Sequence, residues 1–580
     1  GGKTGPFGYY ILGHVFEEDG WRDFSPSDVK QFFAKVGYET GSLDFDLSLT
    51  HADNDLIGNE LVPVSFFERR RESVFTLPDQ SLNEMTMLNL TSSWFVNDNI
   101  QLAGNIYHRR SDRKGLNGDS NDDFEDSDND GATGANGGLG INEDTAARNT
   151  TDTRQRGQGF SLQFSHIIDR NQLTIGTSFD DSKSRFSQSV QEGVFNADRG
   201  VDSEEEVELE NELTGTTRTS SIFFTDTFAI TPATHLTVSG RYNRTRVKTV
   251  DELDPTPPNL DGDFTYSKFN PAVGITQRFA GDKLTVFGSW SQGNRAPSPI
   301  ELGCADPENP CTLPNALASD PFLKQVIART IEGGIRGRIS KDVSWNFSAF
   351  RTVNRDDIIF ISTSASAGYF TNFGKSKREG IEAGVTAKFG MASLSASYGY
   401  TKATFEQSAC LLGENNSSRG SSANCVSDDE IFVDKGSIIP GIPKHSLKLG
   451  VDLDIGERFS IGATGLYFSS QFVRGNENNQ HQAGTFTDNF GEERTFLGSG
   501  TVGSYSVFNL HSNYRFGKGF KIFARVNNVF DQKYFTAGAL AENPFDSNQQ
   551  FQTNSEDWTR ETFFAPGAPR GIWVGLRYEF

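Results

Sequence analysis

The sequence predicts an all-β fold, a transmembrane antiparallel β-barrel of about 20 strands in one domain that covers residues 1–580. Three features predict it: apolar and polar residues alternate along many short segments, very short connections take turns with long ones, and the chain ends inside an alternating segment. Together they favour a barrel over a sandwich or a propeller.

The alternation is clearest in LDFDLSLTH at 43–51, HLTVSGRYN at 235–243 and SLSASYGYT at 393–401. In the first of these, Phe45 and Leu47 lie on one face of a strand and Asp46 lies on the other. Strands with one apolar and one polar face suit either a soluble sheet or a barrel in a membrane.

The connections decide between the two, because an outer-membrane barrel has short periplasmic turns at one end and long extracellular loops at the other. Nine short turns and ten long loops alternate strictly and join twenty predicted strands. The predicted turns are 40–42, 97–99, 169–172, 232–234, 281–283, 341–342, 390–391, 456–458 and 517–519. The predicted loops are 50–84, 111–156, 186–217, 248–265, 295–328, 405–442, 474–504 and 535–569, with shorter ones near 17–28 and 363–369.

Composition argues against several other classes of protein. Lys and Arg number 54 against 76 Asp and Glu, and the net charge of −22 argues against a nucleic-acid partner. No run reaches the roughly 18 apolar residues of a membrane helix. No P-loop, Gly-x-Ser-x-Gly or His-Glu-x-x-His motif is present, so we expect no enzyme activity and no required cofactor.

The four cysteines form two local pairs in turn-like sequence, Cys304 with Cys311 and Cys410 with Cys425. Short-range pairs in loops predict two disulfides and an oxidising compartment, and four free thiols are the alternative. A zinc site is disfavoured because no His flanks either pair at ligand spacing.

One acidic loop at 119–131 is a candidate Ca²⁺ site, since Asp126, Asp128 and Asp130 alternate before a glycine as in the start of a calcium loop. The twelfth position of such a loop would be Gly137, which has no carboxylate. A flexible acidic loop without an ion is the alternative.

At this point the sequence resembles a known family. FARVNNVFDQKYF at 523–535, followed by a long loop and PRGIWVGLRYEF at 569–580, resembles the last two strands of TonB-dependent outer-membrane receptors. GSWSQGNRAPSPIEL at 288–302 and NFGKSKREGIEAGV at 372–385 resemble segments that receptors of that family carry in the same order. Tyr578 and the terminal Phe580 resemble the signal that the barrel-assembly machinery reads.

The resemblance also implies a difference. Family members begin with a TonB box and a plug domain and have 22 strands, whereas this chain opens at GGKTGPFGYY with no plug and twenty predicted strands. We therefore expect the plug and the first two strands to be absent from this chain. If the chain were complete, 571–580 would have to pair with 5–16.

The resemblance implies a receptor in the bacterial outer membrane, among lipid and lipopolysaccharide, that imports a scarce nutrient with energy from the TonB complex. A ferric siderophore or a similar chelate is the first expectation for the cargo, and cobalamin or an oligosaccharide stays open. The few Met and His residues disfavour copper. A passive porin without a plug and an adhesive barrel are the alternatives.

Capture of an anionic chelate is expected to use cations and aromatic residues in the loops and upper lumen. The polar faces, Arg241 among them, are expected to line the lumen and contact a plug. The candidate ligand-binding residues are Arg69, Arg70, Arg71, Arg109, Arg110, Tyr369 and Phe370. Loop packing and ordinary solvated charge are the alternative for each of them.

Overall fold

The protein is described by a computed structural model. The described residues are 1–58, 60–121, 124, 144–253, 256, 259–281, 283–304, 311–312, 318–319, 323–362, 367–487, 493–517, 519–554 and 557–578. The candidate Ca²⁺ ligands Asp126, Asp128 and Asp130 lie outside them, as does Phe580. The side chains of Cys304 and Cys311 are also outside the described part of the chain.

Twenty long strands pair in chain order into one antiparallel ladder, as the sequence predicts. The alternating apolar and polar residues give each strand one face for lipid and one for the interior. They are β1 Phe7–Glu18, β2 Ser27–Glu39, β3 Leu43–Ile57, β4 Asp79–Asn97, β5 Ile100–Ser120, β6 Ala146–Ile168, β7 Asn171–Val190, β8 Glu208–Thr231, β9 Thr234–Asp251, β10 Gly262–Phe279, β11 Leu284–Arg295, β12 Val326–Ser340, β13 Val343–Ser362, β14 Ala367–Phe389, β15 Ala392–Phe405, β16 His445–Ile455, β17 Phe459–Phe468, β18 Tyr505–Arg515, β19 Phe520–Asn527 and β20 Gly571–Tyr578.

The nine short turns fall where they are predicted. The first seven long loops are shorter than predicted because the strands continue into them, whereas the last three, 406–444, 469–504 and 528–570, are longer than predicted. β8 is 24 residues long, whereas about 9–11 residues suffice to cross a bilayer. The loop predicted at 111–156 begins only after Ser120, and its far end forms β6 from Ala146. Above the membrane a strand no longer needs an apolar face, so the polar sequence hides a ladder that backbone hydrogen bonds continue.

The two faces of the ladder differ in chemistry. Outward side chains of the membrane zone are apolar and exposed, such as Leu47 at 45% and Ile222 at 65%. Many inward side chains are polar and bonded to one another, as where Lys35 Nζ lies 2.7 Å from Asp46 Oδ2, although Leu12 and Phe16 of β1 also face inward. The inward polar faces confirm the lumen lining that the alternation predicts.

The remaining elements lie mostly in the connections at the loop end. The helices Val64–Arg69 and Pro299–Leu302 are short, and no described helix has the length and apolarity to cross a bilayer. The short strands are Gly2–Thr4, Val62–Pro63, Glu192–Phe195, Val201–Asp202, Gly303–Cys304, Cys311–Thr312, Ala318–Ser319, Ala409–Leu412, Glu430–Val433, Gln471–Phe472, Gly484–Thr487, Glu493–Leu497, Thr501–Val502, Phe535–Asn543 and Thr559–Pro566.

The first and last long strands, β1 and β20, differ in what pairs with their outer edges. β1 pairs with β2 on one side and with Gly2–Thr4 on the other. β20 pairs with β19, and no ladder joins the described residues of β20 to those of β1. The pairing of 571–580 with 5–16, which a complete chain would require, is therefore not observed in the described residues.

Candidate functional site at the extracellular mouth

Aromatic side chains build a buried core among the loops at the extracellular end. Phe66 and Phe75 of the β3–β4 loop pack against Phe545 and Phe563 of the last loop, and all four are almost fully buried. The ring centroids of Phe75 and Phe563 are 4.9 Å apart in an edge-to-face arrangement. Phe195 of the β7–β8 loop joins the same core at 5.1 Å from Phe545. These aromatic residues hold loops together and are not available to stack on a ligand.

A second, smaller sheet extends this core. Its central strand Thr559–Pro566 pairs with Phe535–Asn543, with Val62–Pro63 and, in parallel, with Glu493–Leu497. Loops that leave the ladder at three separate places therefore share one set of backbone hydrogen bonds. The small sheet and the aromatic core together form a structured region at the loop end, which we call the loop roof.

Two buried arginines tie the loops to one another through carbonyl oxygens. Arg199 donates from Nε to the Phe75 carbonyl at 2.7 Å and from Nη2 to the Val74 carbonyl at 3.0 Å. Arg71 is 8% exposed and donates to Asp531 Oδ1 at 3.0 Å and to the Gln532 carbonyl at 3.1 Å. A planar guanidinium suits this task because its donors diverge and reach several chain segments at once.

The other predicted ligand-binding cations take different positions. Arg69 donates to the Ser547 carbonyl, and Arg70 forms an ion pair with Asp23. Arg110 lies on the outward face of β5, in register with Arg156 of β6, and therefore points away from the lumen. The structure does not bring these residues together with Arg109.

Tyr369 and Phe370 lie at the extracellular end of β14. Tyr369 is 7% exposed and belongs to an apolar cluster with Phe405 and Ile431. The ring of Phe370 packs edge-on against Phe360 at 5.3 Å, and the Arg474 guanidinium lies 5.3 Å above the same Phe360 ring. Both aromatic residues contribute to packing between loops and strands.

A polar network locks the β15–β16 loop to the β17–β18 loop. Asn416, which is fully buried, donates to the Gly475 carbonyl at 2.8 Å. The Ser417 backbone N–H donates to His481 Nδ1 at 3.2 Å, and Asn478 Nδ2 donates to Ser418 Oγ at 2.8 Å. The sequence does not reveal this network, because a run such as RGNENNQH is also typical of a solvated loop. Its density of Asn was the available signal.

Burial shifts the pKa of several side chains in this network. Burial raises the pKa of Glu477 to about 7, and Glu477 Oε2 has no hydrogen-bond partner among the described residues. Burial likewise raises the pKa of Glu414 to about 7, with a further contribution from the Asp429 charge. Burial lowers the pKa of His481 to about 4, so this ring is neutral near pH 7. The network between the two loops is therefore most stable when the carboxyl groups of Glu477 and Glu414 are protonated.

The β15–β16 loop also contains a predicted disulfide, which the structure confirms between Cys410 and Cys425. The two sulfurs lie close to a Glu430 carboxylate oxygen. Because the sulfurs are bonded to each other, neither is a thiolate that binds a metal. The group is a structural crosslink.

On the inward wall, below the loops, β5 carries Tyr107 and Arg109. Arg109 is exposed to the lumen and donates from Nη2 to Gln155 Oε1 at 3.0 Å. It lies in register with Gly157 of β6, where an added Cβ would meet only Ser182 Oγ, at 4.0 Å. Deeper in the wall, Arg241 donates to Ser178 Oγ at 2.9 Å and lies over the Phe223 ring. The wall therefore offers hydrogen-bond donors to an anion within the lumen.

Solved structures share this architecture. The ferric citrate transporter FecA in its unliganded form is 14% identical, with a TM-score of 0.69 over 99% of this chain and 73% of that chain. The siderophore receptor PiuA from Acinetobacter baumannii is 13% identical, with a TM-score of 0.69 over 99% and 77% of the two chains. The copper transporter OprC is 15% identical, with a TM-score of 0.66 over 99% and 76%. Identities this low show a common fold.

The sequence itself matches a family model. Residues 20–529 match the model described as "TonB dependent receptor-like, beta-barrel", which is most of the chain. Proteins of that family are receptors and transporters of the outer membrane that act with TonB and small-molecule ligands. The chain belongs to the family of TonB-dependent receptor-like β-barrels of the bacterial outer membrane.

Proposed function

We propose that this receptor imports an anionic ferric chelate, most simply a ferric siderophore, across the outer membrane. The observation that carries the proposal is the family match over residues 20–529. Structures such as FecA and PiuA, named for ferric citrate and for a siderophore, support the cargo class by analogy of fold. The barrel supplies affinity and a polar passage, and the energy comes through the TonB complex.

Arg109 is the residue in which we place ligand contact. Of the seven candidates from the sequence, Arg69, Arg70 and Arg71 bond to loop partners, and Arg110 points outward. Arg109 faces the lumen, is exposed, and has Gly157 opposite it on the next strand. A carboxylate or catecholate oxygen of a chelate accepts a charge-assisted hydrogen bond from such a guanidinium.

We also propose three partners that the sequence suggested. The inward polar wall accommodates a plug through hydrogen bonds that can rearrange, and the plug links the barrel to TonB. The outward apolar face contacts lipid. The final strand presents Tyr578 to the barrel-assembly machinery.

Uptake of radiolabelled iron by cells that express the full receptor tests the cargo. We expect uptake of ferric citrate or a ferric hydroxamate that stops when the proton gradient is collapsed, because TonB coupling requires it. Uptake that persists without the gradient would indicate a passive pore instead.

The variant Arg109→Gln tests the site. Loss of one charge-assisted bond of about 1.5–3 kcal/mol is expected to weaken binding by about tenfold or more. The matched control is Lys30→Gln, which removes one exposed cation from the outward face of β2. Equal affinity of both variants and the wild type would contradict a role for Arg109.

A further inference from the structure

A cavity of about 400 Å³ lies in the inward wall near the periplasmic turns of β11 to β15, and we call it the lower wall cavity. Two exposed arginines of β12 line it, Arg336 and Arg338. The exposed apolar residues Ile331 and Ile339 occupy the outward face of β12, so the arginines at the alternate positions point inward. Small-molecule sites typically have volumes of about 300–1,000 Å³, and the cavity is therefore large enough for a small organic anion.

The remaining polar lining of the lower wall cavity consists of hydroxyl groups and one amide. The residues that supply them are Thr285, Ser344, Asn346, Thr386 and Ser397. Among the described residues no Asp or Glu lines the cavity. Hydroxyl and amide groups donate hydrogen bonds to an anion without the repulsion that a carboxylate would add.

The two arginines have no anionic partner in the part of the chain that the structure describes. There, no carboxylate oxygen lies within 4.0 Å of either guanidinium, and neither guanidinium donates a hydrogen bond. Glu332, the inward carboxylate of the same strand, lies four positions above Arg336, which is about 13 Å of chain at about 3.3 Å per residue. Two positive charges are therefore left uncompensated in a chain whose net charge is −22.

The guanidinium of Arg336 lies over an aromatic ring. Its central carbon is 5.9 Å from the centroid of the Phe287 ring on β11. Phe287 lies in register with Gly334 of β12, where an added Cβ would come within 2.6 Å of the ring, so the glycine leaves room for it. Stacking engages the flat face of a guanidinium and leaves the N–H groups at its edge for a ligand. A side chain held in this way loses less conformational entropy when it binds.

Other cavities near periplasmic turns also contain cations, but carboxylates accompany them. The cavity at the turn between β16 and β17 is lined by Lys521 and also by Asp454 and Glu457. The cavity at the turn between β2 and β3 contains Lys35, whose Nζ lies 2.7 Å from Asp46 Oδ2. Of these three cavities, only the lower wall cavity leaves its cations without a carboxylate among the described residues.

We propose that Arg336 and Arg338 form a second anion site on the inward wall, which binds a carboxylate group of the cargo after the cargo has left Arg109. The inference rests on the proposed function for the anionic nature of the cargo, and it adds the carboxylate as the group that is recognised. A guanidinium binds a carboxylate through two parallel, charge-assisted hydrogen bonds, which gives both affinity and orientation.

The two anion sites lie at different heights in the barrel. Arg109 is nine residues above the start of β5 at Ile100, whereas Arg336 is four residues above the end of β12 at Ser340. The difference corresponds to about 17 Å along the strands at about 3.3 Å per residue. Passage through a pore requires sites that bind a solute well enough to admit it and weakly enough to release it. A second site nearer the periplasm provides the anion with a partner when it leaves the first.

Labelling of arginines with phenylglyoxal in the purified full receptor tests the site, with iron-free citrate as the probe and peptide mass spectrometry as the readout. We expect labelling of Arg336 and Arg338 to slow by about tenfold once citrate is at about ten times its Kd, and the neutral triethyl ester to have no effect. Arg329, exposed on the outward face of β12, is the internal control and is expected to keep its rate. Equal rates with and without citrate, or slower labelling of Arg329 as well, would overturn the proposal.

Three further results distinguish this site from the proposed function. Arginines that resist phenylglyoxal before citrate is added would show that another part of the receptor occupies the cavity, which would overturn it as a cargo site. Protection of Arg109 alone would overturn the second site and leave the proposed function in place. Protection of Arg336 and Arg338 in a receptor that imports no ferric chelate would support the anion site and contradict the proposed function.

The variant Arg336→Gln/Arg338→Gln tests the role of the site in passage. We expect cells with a collapsed proton gradient to bind ferric citrate as the wild type does, because capture uses Arg109, and energised cells to import it about tenfold more slowly. The matched control Arg329→Gln/Arg351→Gln removes two outward arginines from β12 and β13 and is expected to import at the wild-type rate. Heat-dependent migration on gels verifies that each variant is a folded barrel. Unchanged import by the first variant, or an equal loss in the control, would contradict a role in passage.

Discussion

Arginines among the extracellular loops and arginines on the outward face of the ladder have the same side chain and different surroundings. Arg199 is buried among loops, and its donors go to backbone carbonyls and an amide. Arg156 is exposed on the outward face, between Arg110 and Lys183. The first stabilises contacts between loops, whereas the second lies beside two other cations and is expected to add little to stability. Position in the structure, not residue type, decides whether an arginine has a structural role.

The largest expected effect lies in the loop roof. Phe563→Ala removes a fully buried ring from the aromatic core and is expected to destabilise the roof by about 4 kcal/mol. Hydrogen exchange of residues 559–566 measures the change. The control Ile222→Ala alters an exposed residue of the apolar belt and is expected to leave that exchange unchanged. Equal exchange in both variants would show that the roof does not depend on this core.

The sharpest comparison substitutes one arginine from each region. Arg199→Met is expected to loosen the roof by about 2–3 kcal/mol, because it leaves the carbonyls of Val74 and Phe75 without their charged donor. Arg156→Met is expected to change stability by less than about 0.5 kcal/mol or to stabilise the sheet slightly. Hydrogen exchange of residues 62–76 and the melting temperature measure the effects of both substitutions. A larger loss from Arg156→Met would reverse the assignment of roles.

The polar lock between the loops is expected to weaken as pH rises. The pKa of Glu477 is raised to about 7 by burial, so the folded loop holds this proton more tightly than the unfolded chain does. The stabilisation is complete below about pH 4.5 and is lost as pH rises through 7, an effect on the order of 2 kcal/mol. The lowered pKa of His481, about 4, acts in the opposite sense only below about pH 6.5.

Hydrogen exchange of residues 471–487 between pH 6.5 and pH 8, corrected for intrinsic exchange rates, isolates the carboxyl effect. Glu477→Gln is expected to flatten most of the dependence, and the remainder is expected from Glu414, whose pKa is also about 7. The exposed Glu457, in the turn between β16 and β17, provides the control Glu457→Gln. The same pH dependence in both variants would place the titrating group elsewhere.

The smallest expected effect concerns an exposed ion pair on the outward face of β6. Arg154→Gln breaks the contact with Asp152 and is expected to leave the stability almost unchanged, since both groups are solvated. Thermal unfolding of the variant against the wild type measures it. A large drop in the melting temperature would mean that this ion pair is part of the structural framework.

Much of the architecture was predictable from the sequence. Alternation in segments such as 43–51 and the strict exchange of short turns and long loops predicted the barrel, its twenty strands and its orientation. The strand ends were not predictable, because the polar continuation of β5 through Ser120 carries no apolar periodicity. The disulfide between Cys410 and Cys425 was predicted from spacing and is confirmed.

The candidate site was less predictable than the fold. The run Arg69, Arg70 and Arg71 has the composition of an anion site, but loop partners occupy all three. Arg109 and Arg110 are neighbours in sequence and face opposite sides of the wall, because side chains alternate along a strand. Arg199 carried no local signal, since its partners lie 124 residues away or more.

By itself the sequence determined that this chain crosses the outer membrane as an antiparallel barrel, because a strand between lipid and water must alternate its side chains and because turns and loops must separate to opposite ends. Only the tertiary structure decided which charges are used for packing and which remain free to bind. The role of each charged residue depends on contacts and strand register between segments that are distant in the sequence. The amino-acid sequence alone does not specify them.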